Sequence, residues 1–327
     1  MLRIRFQRED LARVRFMISP MAETVLSVSA LQLRDAQLPF ERWRDAQWQK
    51  LARAPSRTLL GLVPAGWRPT VALAPIVGER PLFEEELDAI LEFSPHPMRA
   101  YLATLDSPVL TSRWMPILPD DADDERRLLG RLLSDYHRRC IAEYWPAIRA
   151  WLEGDIAYRS SLGAKQGMAQ VLATLHPAIR WNDSTLEMAV PDPSRQLDLG
   201  GSGLVLVPSA FIWPHPAVLL DGTGQPVLIY PARSVFALWD APAYDPDVLA
   251  TLLGATRAAV LVAAACGDST SHLANRMNVS VASVSQHLTA LRKVGLVRST
   301  RRGRAVHHDL TPLGVQLLLA SRTFSQA

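Results

Sequence analysis

Apolar residues recur at two different periods along the 327-residue chain, and the change of period divides it. Up to about residue 178 the spacing is helical. It predicts helices over 20–33, 40–51 and 82–93. The strongest segment is "DDADDERRLLGRLLSDYHRRCIAEYWPAIRAWLEG". There Leu128, Leu132 and Tyr136 repeat at every fourth position, and Pro146 predicts a kink or break. "GAKQGMAQVLATLHP" predicts a further helix. After residue 178 the pattern turns to strands, predicted over 179–181, 186–190, 204–207, 218–220 and 227–230. At the start of the chain Leu2, Ile4 and Phe6 alternate with Arg3 and Arg5, which predicts an opening strand.

The period returns to helical at the C-terminal end. "STSHLANRMNVS" predicts a short helix over 270–277, with Leu273 and Met277 inward, and then a turn. Ser280 is placed to cap the next helix, because its hydroxyl can accept from the first free backbone N–H groups. Val284, Leu288 and Leu291 fall on one face of that helix, and Gly295 stops it just after Arg292 and Lys293. Two helices joined by so short a turn form a helix-turn-helix. "GLVRSTRRGRAVHHDLT" then predicts a β-hairpin that turns at Gly303. The expected fold class is α+β. Residues 1–178 form the mainly helical part of an N-terminal domain and 179–240 the antiparallel strands of the same domain. "APAYDPD" (241–247) is the linker, and 248–327 is a winged helix-turn-helix.

The side chains on the second helix suit base edges. Ser283, Ser285, Gln286 and Thr289 are short, polar and uncharged, and lie mainly off the apolar face; His287 on the same helix is expected to hydrogen-bond or touch phosphate. Gln pairs bidentately with adenine, Ser bonds to several edges, and Thr touches the thymine methyl. Arg298, Arg301, Arg302 and Arg304 crowd the hairpin, where they suit phosphates or a narrow minor groove. Alone, each feature also fits two packed helices or a solvated charged face. Their consecutive order is what points to double-stranded DNA.

Charge separates the same two regions. Residues 250–327 hold nine basic and two acidic side chains, whereas the preceding residues hold 26 basic and 30 acidic. The positive excess therefore lies in the C-terminal region, as expected of a nucleic-acid module joined to a different kind of domain. All nine tryptophans precede residue 240. With only Cys140 and Cys266, the chain has no disulfide framework, and a cytoplasmic location is expected. The apolar stretch 199–220 carries no charge, but Pro208, Pro214, Pro216 and three glycines exclude a lipid-exposed helix there. It reads as buried strands, and no membrane partner is expected.

Residues from about 246 to 320 resemble the winged-helix domain of the arsenic-repressor (ArsR) family of bacterial transcription regulators. "LANRMNVSVASVSQHLTALRKVGLV" and "RRGRAVHHDLTPLG" carry that resemblance. It implies a homodimer that places one recognition helix per subunit in successive major grooves, and repression relieved by an effector. The whole architecture is similar to actinobacterial regulators that put an uncharacterised N-terminal domain before this winged helix. "GGSGLVLVPSAFIWPHPAVLL" looks like a recurring segment of that group.

Other chemistry is sparse. Many relatives of the winged helix bind metal through a Cys-x-Cys pair just before the helix-turn-helix. Ser269 and Ser271 occupy that place, and serine is a poor ligand for soft metals. His307 and His308 are strand neighbours that point to opposite faces. No metal site, cofactor or catalytic residue is expected. The acids Asp120, Asp121, Asp123, Asp124 and Glu125 read as the negative end of a helix start. Trp145 and Trp151, which flank the expected break, are the candidates for lining an effector pocket. The expected function is a DNA-binding regulator, most simply an effector-responsive homodimeric repressor of a pseudo-palindromic operator. The alternatives are an enzyme or small-molecule sensor with the winged helix as a secondary module, and a winged helix that binds protein.

Overall fold

The computed structural model describes residues 1–33, 40–63, 65, 77–78, 81–104, 111–112, 114–189, 195–219, 225–233, 238, 246–264, 269–302, 305–311, 313–314, 317–318 and 321. The chain divides into two units. One comprises Met1–Ile141 with Tyr158–Arg233, and the other Ala142–Ala157 with Ser234–Ala327. The first unit mixes helices and sheets and the second contains the helix-turn-helix, so the α+β reading holds.

The first unit opens with β1 (Leu2–Arg5), α1 (Arg8–Ala12), β2 (Arg15–Phe16) and α2 (Pro20–Ala30). Helices α3 (Glu41–Leu51), α4 (Leu59–Leu62), α5 (Phe83–Phe93), α6 (Pro97–Thr104) and α7 (Ala122–Tyr136) follow. A π-helical turn spans His137–Ile141. After it comes α8 (Trp145–Gln166), whose first residues belong to the second unit, and then α9 (Met168–Ala173). The strands are β3 (Ile179–Asn182), β4 (Thr185–Met188), β5 (Arg195–Asp198), β6 (Val205–Ser209), β7 (Ala217–Leu219) and β8 (Val227–Pro231).

These strands do not form the antiparallel sheet that alternation predicts. They form two mixed four-stranded sheets, ordered β3-β4-β1-β5 and β2-β6-β8-β7. β1 runs antiparallel to β4 but parallel to β5, and β6 runs parallel to both β2 and β8. The physical reason is visible in the residues. "VLVPS" and "VLIYP" are buried at every position, and continuous apolar runs mark strands covered on both faces, as parallel strands are. β1 instead alternates, with Leu2 and Ile4 buried and Arg3 and Arg5 exposed. Both sheets share one core, in which Leu2, Ile4, Leu186, Leu206 and Leu228 meet Val171 and Leu172 of α9.

Two helix boundaries differ from expectation. Pro146 causes no kink, because it is the second residue of α8, where a missing N–H costs no hydrogen bond. The break comes earlier, at the π-helical turn. "GAKQGMAQVLATLHP" is not one helix, since Gly167 takes φ +85° and separates α8 from α9.

Helix α2 is buried along its whole length. Ser19 caps it by accepting from Ala22 N–H at 2.8 Å. Glu86 of α5 accepts from Met21 N–H at 2.7 Å, and Glu23 accepts from Ala210 N–H at 3.0 Å. The other oxygen of each carboxyl, Oε1, has no hydrogen-bond partner among the described residues. Burial pushes both carboxyls up from 4.5 to about 8. The acids before α7 divide between two jobs. Asp121 caps α7, and Asp123 and Asp124 pair with Arg126 and Arg127, as expected of acids at a helix start. Glu125 is instead fully buried and accepts from Met98 N–H and Arg99 N–H at the start of α6.

In the second unit, α10 (Pro246–Leu253) and α11 (Ala255–Ala264) are separated by Gly254 at φ +83°. Then come α12 (Thr270–Met277), α13 (Val281–Lys293), β9 (Val297–Arg302) and β10 (Ala305–Leu310). The expected division placed 142–157 with the N-terminal domain. That segment groups with the second unit, and its Ala150 joins the core made by Leu261, Leu273, Val284, Leu288, Leu291 and Leu310. Of the expected linker 241–247, residues 241–245 lie outside the described residues. No single helix among the described residues is long and apolar enough to cross a membrane.

Candidate nucleic-acid interface

Helices α12 and α13 begin and end where local chemistry directs. Ser269 caps α12 by accepting from His272 N–H at 3.3 Å. Ser269 thus serves as a helix cap. Asn278 ends α12 in the left-handed region at φ 53°, which asparagine tolerates better than most residues, and Val279 N–H returns to Ala274 O at 3.1 Å. Ser280 then caps α13 through Ser283 N–H at 3.1 Å. Gly295 at φ +75° closes α13, with Leu296 N–H on Leu291 O at 2.9 Å.

Helix α13 has two opposed faces. Val284, Leu288 and Leu291 are buried in the core. Ser285 and Gln286 are exposed, and Thr289 lies one turn further along the same stripe, half-buried. The Thr289 hydroxyl donates to Ser285 O at 2.8 Å, which leaves its oxygen as an acceptor and its methyl to offer a partner. Ser283 and His287 are half-buried on the flanks of the stripe. The helix ends in Arg292 and Lys293, both exposed.

The wing is an antiparallel pair in which Val297 faces Leu310, Ser299 faces His308 and Arg301 faces Val306. Side chains alternate along a strand, so Arg298 and Arg301 point to opposite faces. Both are exposed. Arg298 sits opposite Asp309 on the other strand. Arg302 lies in β9, and its side chain is outside the described set, as is all of Arg304 and the turn at Gly303. Cys266 also lies outside the described residues.

Residues 268–299 match the family model described as bacterial regulatory protein, arsR family. The chain carries an ArsR-family helix-turn-helix domain. The match starts just before the cap of α12 and ends inside β9, so it covers the two helices whose geometry is given above. Residues 101–235 match a family of unknown function (DUF5937), which runs from α6 to the end of β8. No curated protein and no solved structure matches the chain significantly. An ArsR-family helix-turn-helix points to a DNA-binding transcription regulator, and the family matched by residues 101–235 has no known function.

Two features, one in each unit, were not read from residue types. His308 is buried to 4% exposure and hydrogen-bonded at both ring nitrogens, to Thr270 Oγ1 at 2.8 Å and Ser299 Oγ at 2.9 Å. The signal was the period-two spacing to Leu310, which puts both side chains on the inner face of the wing. The second feature is a groove of about 600 Å³ in the first unit, lined by Leu31, Gln32, Leu33, Arg44, Asp45, Trp48 and Ala65. Trp145 and Trp151 do not line it. Trp145 is buried and Trp151 half-buried, both in the segment 142–157.

Proposed function

We propose that the chain is a cytoplasmic, effector-responsive repressor that binds a pseudo-palindromic operator as a homodimer. The observation that carries the reading is the exposed stripe of Ser285, Gln286 and Thr289 on a helix whose other face is core. A helix presented in this way fits the major groove, and a dimer would place two such helices about one helical turn of DNA apart. In this reading Ser285, Gln286 and Thr289 meet base edges, Ser283 and His287 meet the groove walls, and Arg298, Arg301, Arg302 and Arg304 meet phosphates. The positive excess of the C-terminal region supplies the sequence-independent part of the affinity.

The test is binding of the purified chain to the DNA upstream of its own coding sequence, over a series of salt concentrations. Tight binding that selects this DNA over a scrambled duplex, and that weakens steeply with salt, is the expected result. A chain that shifts neither this DNA nor a genomic pool would end the reading. Gln286→Ala should cost about 1–3 kcal/mol and relax preference at one base pair. Equal affinity and unchanged preference would remove Gln286 from the interface. Arg301→Ala should weaken all sequences alike and lower the slope of log K against log salt by about one. That slope, measured on a mixed-sequence duplex, separates a phosphate contact from a base contact.

A further inference from the structure

We infer that His308 is the positioning residue of the wing: through Thr270 on one side and Ser299 on the other, it sets the angle at which the hairpin carries Arg301 toward DNA. The inference rests on the DNA-binding reading and adds to it a residue that need not touch DNA.

The argument begins with how the wing is held. A two-stranded hairpin is marginal by itself in water and needs something to pack against. The inner face of this one has successive rungs. At the base, Val297 and Leu310 are buried in the core of the second unit. The next inner rung is Ser299 with His308. The one beyond it is Arg301 with Val306, and Val306 is already 41% exposed. Ser299 and His308 therefore form the outermost buried rung before the tip. The direction of everything beyond is determined there.

The hydrogen bonds on this rung join three elements. Thr270 is the first residue of α12, Ser299 lies in β9, and Arg292 in the last turn of α13 reaches Ser299 Oγ with its Nη1 at 3.5 Å. Their chemistry allows a consistent direction. A guanidinium can only donate, so Ser299 Oγ accepts from Arg292. With the imidazole proton on Nε2, the Ser299 hydroxyl donates to His308 Nδ1 and Nε2–H donates to Thr270 Oγ1. Each group along the chain has a role its neighbours can meet. A backbone bridge between Ser269 and His307 holds the same place from the main chain. Thus the start of the first helix, the end of the recognition helix and the wing are joined through one imidazole.

The test is a thermodynamic cycle on the full-length chain, read by binding to a mixed-sequence duplex over a salt series. Phosphate contacts need no operator, so an unknown recognition sequence is no obstacle. His308→Phe keeps a ring and removes both hydrogen bonds. It should lower affinity several-fold and lower the salt slope by about one, as Arg301→Ala does. The decisive arm combines the two changes. If His308 acts by aiming Arg301, the double variant binds no worse than His308→Phe alone. If His308 only stabilises the fold, the two losses multiply, and the inference is overturned. Ser299→Ala and Thr270→Val carry the same cycle with smaller changes, should His308→Phe fail to fold. Should the wild-type chain bind no duplex at all, the DNA-binding reading itself falls, and the inference with it; that outcome is distinct from an additive cycle.

Discussion

Between pH 6.5 and 8 the folded chain should lose roughly 3 kcal/mol of stability, and changing Glu23 and Glu86 to glutamine should remove most of that loss. Both carboxyls lie fully inside the first unit, each hydrogen-bonded to a backbone N–H and a serine, Ser209 for Glu23 and Ser19 for Glu86, with Oε1 lacking a partner among the described residues. Burial makes the charged form costly, so they hold their protons up to about 8 when folded and release them at 4.5 when unfolded. Above 4.5 the folded state thus binds two protons that the unfolded state has lost. The stability tied to them is complete below pH 4.5 and is lost as pH rises through 8, at about 1.4 kcal/mol per carboxyl per pH unit.

Histidine works against this slope on the acid side. His137 is stacked on Phe83 at 3.9 Å and hydrogen-bonded to Thr24, and burial pushes it from 6.5 down to about 4. Burial also lowers His176, with His215 nearby as a smaller cause. Their stability is present above 6.5 and lost as pH falls, which offsets the carboxyls below that point. The steep part of the curve therefore lies between 6.5 and 8. Urea unfolding followed by tryptophan fluorescence at half-unit pH steps would read it. A wild-type midpoint that stays level across this window would refute the assignment of protonated, buried carboxyls. A slope that survives in the Glu23→Gln/Glu86→Gln variant would move its source elsewhere.

The second large effect lies on the hidden face of α13. Leu291 is fully buried and shares its core with Leu261, Leu273, Val284, Leu288, Leu296 and Leu310. Leu291→Ala should cost about 2–5 kcal/mol through lost transfer energy and the cavity left behind. Affinity for DNA should fall with it, because the α12–α13 pair and the wing base all lean on this cluster. Gln286 sits five residues earlier on the opposite face. Its truncation should leave the melting temperature unchanged and relax preference at one base pair, so the two variants separate folding from reading. Calorimetry of both, beside binding isotherms, makes the comparison. A Leu291→Ala chain that melts like wild type would mean that the core described around α13 is not the one that holds it.

Much of this protein is written in local pattern. The limits of α12, α13 and the wing follow from features a few residues apart: Ser280 as cap, Val284, Leu288 and Leu291 as stripe, Gly295 as stop, and alternation along 296–310. The opening strand at Leu2 and β3, β4, β6, β7 and β8 are equally legible, because each needs only a short apolar segment between turns; β5 (Arg195–Asp198), whose residues are mostly polar, was not predicted. What local pattern did not determine is who pairs with whom. β1 takes both β4 and β5 as neighbours across more than 180 residues, and β6 lies between β2 and β8 in parallel. Pairing of this kind depends on which buried faces meet, and a strand's own residues hold little of that information. The same reason hid the buried roles of charged and polar side chains. Glu125 looks like one more acid at a helix start, yet it caps a different helix, and Glu23, Glu86 and His308 are polar residues whose partners arrive from distant segments. Sequence alone, through spacing and residue type, determined the helix-turn-helix and its wing; the mixed sheets, the buried carboxyls and the imidazole that joins the wing to two helices were decided by tertiary packing, because each is a relation between segments rather than a property of one.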